Sequence, residues 1–292
     1  MRLFGRKATL VIDTATRGPS ASAMSLGVSP ALSIPCGKDG FDLRFDIKKD
    51  LTAKPNRASI DVFNLTQDHR DALSERAAKG PVRARLDAGY EDGVSRIFEG
   101  DLRILYHDRE GGTDIVTRIE SADGDRIIST ARISKSWAAG TPVSQVIRDV
   151  AAALNIGEGN VRASAAGALL EDLGPTFAGG TAAVGPVFRE LTRICKSAGI
   201  EWSIQDGTLQ FLVTDQALSS TAIKVTSSTG MEDFPKIDHK GRLRVVTRII
   251  PGLFPGRKIQ LEDRSVWRVD KARYHGETRG RAWNIHIEAR PA

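Results

Sequence analysis

The stretches "FDLRFDIKK" (Phe41 to Lys49) and "RASIDVFNL" (Arg57 to Leu65) place apolar and polar residues alternately. A side-chain period of two fits a strand with one covered face and excludes a helix. "TAKPN" between them supplies turn residues. "TQDHRDALSERAAKG" then reads as a short helix, with Thr66 as N-cap and Gly80 as its stop. "VRARLDAGYEDG", "SRIFEGDLRILYHD" and "GTDIVTRIESADG" continue the strand patterning, separated by Gly and Asp-Gly turns. Many strands, short turns and one small helix predict a small β-barrel or sandwich unit over residues 1–130.

The period changes at "SWAAGTPVSQVIRDVAAALNI". Val143, Val146, Ile147, Val150 and Leu154 recur at helical spacing, with Thr141 as a cap and Pro142 at the first helical position. A second helix is expected from Val187 to Ala198, stopped by Gly199, followed by a hairpin around Asp206-Gly207. The Gly/Ala-rich span from Gly157 to Gly185 reads as loop. Residues 131–229 are therefore expected to form a small α/β unit. From Gly230 the strand pattern returns in "RLRVVTRII", "RKIQLED", "SVWRVDKARYHG" and "RAWNIHIEARP", giving a second β-unit over 230–292. The expected fold class is mainly β with an α/β part: two similar small β-barrel units flanking a helix-containing domain.

The two β-units share a sequence. "YHDREGGTDIVTRIE" (Tyr106 to Glu120) and "YHGETRGRAWNIHIE" (Tyr274 to Glu288) align without a gap, 168 positions apart. Tyr-His opens both, a Gly stands seventh (Gly112, Gly280), and Ile-Glu closes both. The preceding strands, "FEGDLRILYH" and "WRVDKARYH", match with a one-residue offset. A duplicated β-unit gives one chain two nearly equivalent surfaces. Three such chains around a three-fold axis would present six, a pseudo-six-fold ring.

With 292 residues the chain has room for two or three domains, and 40% hydrophobic with 27% charged residues excludes bulk disorder. Net charge is +6, and residues 236–292 hold 14 Lys/Arg against 6 Asp/Glu, an excess of +8. Such a basic end suits an acidic protein partner, nucleic acid or a solvated face. No apolar run approaches the roughly 18 residues that span a bilayer. The run from Ala8 to Ile12 reads as a first strand, too short for a signal peptide. Cys36 and Cys195 form no CxxC pair and read as buried free thiols, in keeping with folding in a reducing cytosol.

Chemistry-bearing patterns are sparse. His69, His107, His239, His275 and His286 lack the i,i+4 spacing of a zinc helix. His107 and His275 fall at matching turn positions of the repeat, which suits a structural role. Cys195 sits in an apolar helix stripe without a nearby base. Glu99, Asp101 and Glu120 are strand carboxylates that a solvated face explains. "NIGEGNVR" follows a helix and lacks the third glycine of a phosphate loop; "GLFPGRK" lacks Walker spacing and reads as turn punctuation. Trp267, Tyr274 and Trp283 alternate with basic residues, but their register assigns them to the core rather than to a base-stacking groove. No catalytic, cofactor-binding or metal-ligating residue is assigned, and no cofactor is expected.

Gly89-Tyr90, Glu99-Gly100-Asp101, Asp123-Gly124, Gly140-Thr141-Pro142 and Pro255-Gly256-Arg257, in this order, resemble the hub proteins of phage tail baseplates and related contractile injection machines. The resemblance runs from about residue 41 to the end. It implies a virion structural protein made in the bacterial host cytoplasm and built into the tail baseplate. It implies a homotrimer whose two β-barrels per chain form a ring joining a hexameric tail tube, or tube-initiator protein, to a trimeric spike. The tape measure protein is a further partner in this reading; membrane and specific nucleic acid are not. Longer members of the family carry lysozyme or peptidase modules, for which three units leave no room, so the chain is expected to be no enzyme. The alternatives are a tail-associated cell-wall hydrolase and a nucleic-acid-binding β-barrel protein.

Overall fold

A computed structural model describes residues 5–14, 31–156 and 176–292. The first segment forms β1 (Arg6–Thr14), β2 (Leu32–Gly37), β3 (Asp42–Asp50), β4 (Arg57–Phe63), β5 (Val82–Tyr90), β6 (Gly93–Glu110) and β7 (Asp114–Ala122). Helix α1 (Gln67–Lys79) lies between β4 and β5. The alternation acts as read: Leu43, Phe45 and Ile47 of β3 and Ala58, Ile60 and Val62 of β4 are buried, and their neighbours are not. Thr66 caps α1 by accepting from the His69 N–H at 3.3 Å, and Gly80 follows its end.

The middle segment forms α2 (Asp125–Thr130), β8 (Arg132–Trp137), β9 (Thr141–Pro142), α3 (Val143–Ala152), β10 (Thr176–Phe177), β11 (Thr181–Pro186), α4 (Val187–Ser197), β12 (Ile200–Gln205) and β13 (Thr208–Val213). Two expectations change here. Thr141 does not cap α3: its hydroxyl donates back to Ala138 O at 2.8 Å, and Pro142, extended at φ −60° and ψ 138°, is the capping residue. The span read as loop ends in a strand, for β11 pairs with β8 from Thr181↔Trp137 to Pro186↔Arg132. Small residues give β11 no apolar alternation, and the pairing comes from its partner. Residues 157–175 of that span lie outside the described residues. Val143, Val146, Ile147 and Val150 of α3 pack with Val187, Leu191 and Ile194 of α4, Trp202 and Phe211 in a core of their own.

The last segment forms β14 (Ile223–Lys224), β15 (Lys236–Ile237), β16 (Leu243–Arg248), β17 (Lys258–Gln260), β18 (Val266–Glu277) and β19 (Trp283–Pro291). The architecture is mainly β with few helices. The strands of the first and last segments join into one 13-stranded sheet, ordered β15-β16-β19-β18-β3-β4-β7-β6-β5-β1-β2, with β17 on β18 and β14 on β17. They also share one core, which includes Leu10, Phe45, Phe98, Ile119, Val245, Tyr274 and Ile285.

Strand order repeats within this sheet. β3-β4-β7-β6-β5 in the first segment matches β15-β16-β19-β18-β17 in the last, and every one of these neighbours is antiparallel. Both long hairpins carry a bulge at one place. Arg103 is skipped between Leu102↔Ser121 and Ile104↔Glu120, and Asp270 between Val269↔Ala289 and Lys271↔Glu288. The ladder therefore matches Leu105 with Ala272, and His107 with Tyr274. The gapless Tyr-His match is one residue out on the outgoing strand. His107 and His275 are strand residues, not turn residues, and are not equivalent.

Candidate assembly interface

Two Asp-Gly turns meet where the middle segment docks on the sheet. Asp206 and Gly207 close the β12–β13 hairpin with φ of 53° and 78°, as a two-residue primed turn requires. Asp123-Gly124 ends β7, and the Gly207 N–H donates to Asp123 Oδ1 at 3.0 Å. Gly124 has φ 68°, a conformation strained for other residues, and a Cβ there would lie 2.5 Å from Ile204 Cδ1, so the Ile204 side chain would have to shift.

Charges buried at this joint come from all three segments. The β3 register turns Lys49 inward behind Ile47, and its Nζ meets Asp206 Oδ1 at 2.6 Å. The same oxygen accepts the Glu99 N–H at 3.1 Å. Burial, then the nearby Asp206 carboxylate, pushes the Asp123 carboxyl up to about 8, against the opposing pull of Lys49 and the Gly207 N–H. Asn56 donates to Ile204 O at 2.8 Å and accepts the Asp50 N–H at 3.0 Å. A second bracket ties the middle segment to β18. The fully buried Arg268 reaches Glu201 Oε2 at 3.0 Å, Asp270 Oδ1 at 3.0 Å and Gln216 O at 2.9 Å. Gln210 donates to Pro255 O at 3.0 Å, inside the Pro-Gly-Arg turn. Paired and hydrogen-bonded charges of this kind hold a geometry, because losing one partner strands the other.

A groove of about 630 Å3 runs over the outer face of β3, β18, β19 and β16. Lys48, Lys236, Arg244, Lys271 and Arg273 line it, with the exposed Phe234. Four of the fourteen C-terminal Lys/Arg lie here, two of them close beside carboxylates: Lys271–Glu288 at 3.0 Å and Arg273–Asp46 at 2.7 Å. The face suits docking by charge complementarity.

The residues weighed for chemistry are dispersed. Cys36 and Cys195 are buried, and burial pushes both thiols up to about 12. Glu99 pairs with Arg83 at 3.0 Å and Arg96 at 2.6 Å, while Asp101 accepts the Arg126 N–H at 3.2 Å. Glu120 is exposed on β7. His69 stacks edge-on against Phe41, with ring centroids 5.4 Å apart. His107 shares hydrogen bonds with Ser74 and Thr117, and His275 lies opposite Asp46. His239 stands in the β15–β16 turn and His286 on the exposed side of β19. Trp267, Tyr274 and Trp283 are buried in the core. Among the described residues, no three His, Cys, Asp or Glu cluster as a metal site, and no helix is long and apolar enough to cross a membrane. The residues sequence reasoning missed are Lys49, Asp123, Asp206 and Arg268 as a joint; the two Asp-Gly turns were its visible trace.

Comparison with known proteins matches this architecture. The 43 kDa tail protein of prophage MuSo2 from Shewanella oneidensis superposes with a TM-score of 0.59 at 10% identity, covering 97% of this chain and 96% of that one. A tail protein from Neisseria meningitidis MC58 gives 0.57 at 12% identity, over 99% and 97%. The E. coli c3393 protein, a type VI secretion component described as structurally similar to T4 tail proteins gp27 and gp5, gives 0.55 at 11%, over 86% and 73%. These likenesses show the fold. No curated protein matches the chain significantly. The family model described as baseplate hub gp41 matches residues 28–262. It lends no support to the hydrolase or nucleic-acid readings. A match over most of the chain, on a tail-protein fold, establishes that the chain belongs to the baseplate hub gp41 family and has a structural role in the tail tip.

Proposed function

We propose that three copies of this chain surround a three-fold axis, so that six β-units form a ring matching a hexameric tail tube on one side and a trimeric spike on the other. The observation that carries this is the duplicated strand order: β3-β4-β7-β6-β5 and β15-β16-β19-β18-β17 give one gene product two alike units. A six-fold partner can then be met by three chains. We divide the chain into β-unit 1–130, α/β unit 131–229 and β-unit 230–292; the separate core of the middle segment, which reaches back to Ile127 of α2, supports a three-part division. The middle unit braces the two β-units through the Lys49–Asp206 and Arg268–Glu201 pairs. The basic outer groove docks acidic loops of tube, spike or tape measure protein. The chain acts as an adaptor without a catalytic step and is made in the host cytoplasm before assembly.

Light scattering tests the stoichiometry. The expected mass is three times the 31.6 kDa protomer for the chain alone, or three copies of the chain per complex once tube and spike proteins are added. A monomer that ignores both partners overturns the adaptor.

A further inference from the structure

The seam between the two β-units exists once inside the chain, and the parts for a second seam lie uncovered on its surface. The internal seam is the ladder between β3 and residues 271–277 of β18, running from Lys271↔Asp50 to Glu277↔Arg44. It starts where β17 stops, since β17 pairs with β18 only from Gln260↔Val266 to Lys258↔Arg268. The first unit repeats this layout. β5 pairs with β6 only as far as Arg83↔Asp101, so residues 102–110 have no strand partner on that edge among the described residues. At the opposite end of the sheet, β15 pairs with β16 alone among the described residues.

The registers state which residues correspond. The shared bulge matches Arg103 with Asp270, hence His107 with Tyr274 and Asp108 with His275. Both members of the first pair reach the connection that precedes their own neighbour strand: Tyr274 donates to Leu253 O, and His107 contacts Ser74 of α1. On the other side, Ala58↔Ser121 matches Leu243↔Ala289, and Ile47↔Ala58 matches Ile237↔Leu243. Ile237 therefore stands for Ile47, and Lys236 for Asp46. Inside the chain, Tyr274 lies opposite Ile47 and His275 opposite Asp46.

Burial differs as an unmade seam requires. Ile47 is 0% exposed, and its counterpart Ile237 is 62% exposed. Tyr274 is buried, and its counterpart His107 is exposed. Phe234, Ile104 and Tyr106 add further exposed apolar surface on the same two edges. Exposed strand edges with apolar side chains are templates for pairing.

We infer that β15 of one protomer pairs antiparallel with the free edge of β6 in the next, with Ile237 opposite His107 and Lys236 opposite Asp108. This rests on the ring proposed above. The charges agree: His275 facing Asp46 within the chain becomes Asp108 facing Lys236 between chains. Pro235, lacking an N–H, bounds the ladder. The contact is head-to-tail, and in the three-fold ring proposed above it closes after three copies, giving six like seams, three within chains and three between them.

The test is a double variant, Asp108→Cys with Lys236→Cys, oxidised with diamide and run on a non-reducing gel beside light scattering of the same sample. The native thiols are buried and do not compete. Covalent species up to three chains and no larger are expected, while Ser33→Cys with Lys236→Cys, using the edge strand β2, stays unlinked. Trimers that link through the control pair, or through neither, overturn the seam and leave the ring standing. A monomer, alone and with tube and spike proteins, removes ring and seam together. Hydrogen exchange on the unmodified protein gives a second reading: a peptide spanning His107 and Asp108 should gain protection on trimer formation, and unchanged exchange there overturns the seam.

Discussion

Lys49 follows Leu43, Phe45 and Ile47 on the covered face of β3, a place where an isolated ammonium is costly. Asp206 compensates it at 2.6 Å, and Asp123 lies beside the pair, fully buried. The folded Asp123 carboxyl holds its proton up to about 8, above the usual carboxylate value of 3.8. The folded state therefore binds more protons than the unfolded one between these values, and stability falls as pH rises through that window. Asp123→Asn removes this dependence. Between pH 4 and 8 the wild type should lose up to about 1.4 kcal/mol per pH unit relative to the variant. Urea unfolding of both proteins at pH 5 and pH 8 checks it; curves that stay parallel refute the buried proton. None of this was legible beforehand, because a charged residue at a strand position reads as solvated until its partner, 157 positions away, is placed against it.

The β12–β13 hairpin shows what local chemistry dictates at the scale of an element. Asp-Gly between two apolar runs predicts a two-residue turn with positive φ, and the backbone adopts it. Gly207→Ala has room for its methyl, since the nearest atom, Glu99 Oε1, is 3.6 Å from an added Cβ. The cost is backbone strain, about 1–2 kcal/mol. A lowered denaturation midpoint measures it, and an unchanged midpoint sinks the argument. α1, α3 and α4 were legible for the same local reason, through spacing and end signals. β11 was not, because Ala and Gly residues carry no period, and Thr141-Pro142 was misread because a good N-cap residue was engaged in a turn of its own.

For the whole molecule, the two brackets make the middle segment and the sheet one body. Arg268 is fully buried between Glu201 of the middle segment and Asp270 of β18. Arg268→Met keeps most of the apolar stem and removes the partner of Glu201, while Asp270 keeps Arg290 at 2.6 Å, so the expected loss is about 1.5–3 kcal/mol. The middle segment should then unfold ahead of the sheet, so that tryptophan fluorescence and far-ultraviolet circular dichroism no longer give one coincident transition. Coincident curves with wild-type stability would show that Arg268 couples nothing.

By itself the sequence determined where most strands and helices lie, many of the turns that join them, that a hairpin is repeated, and the order of turn motifs that resembles tail hubs. Each of these depends on residues near one another along the chain. Tertiary structure decided that β18 pairs with β3, so that two β-segments become one sheet. It also decided that Tyr274 corresponds to His107 rather than to Tyr106. Matching letters maximises identity, whereas the ladder counts hydrogen-bonded positions, and the bulges at Arg103 and Asp270 shift that count by one. The same long-range pairing converts Lys49, Asp123 and Arg268 from apparent surface charges into the joint that holds the molecule together.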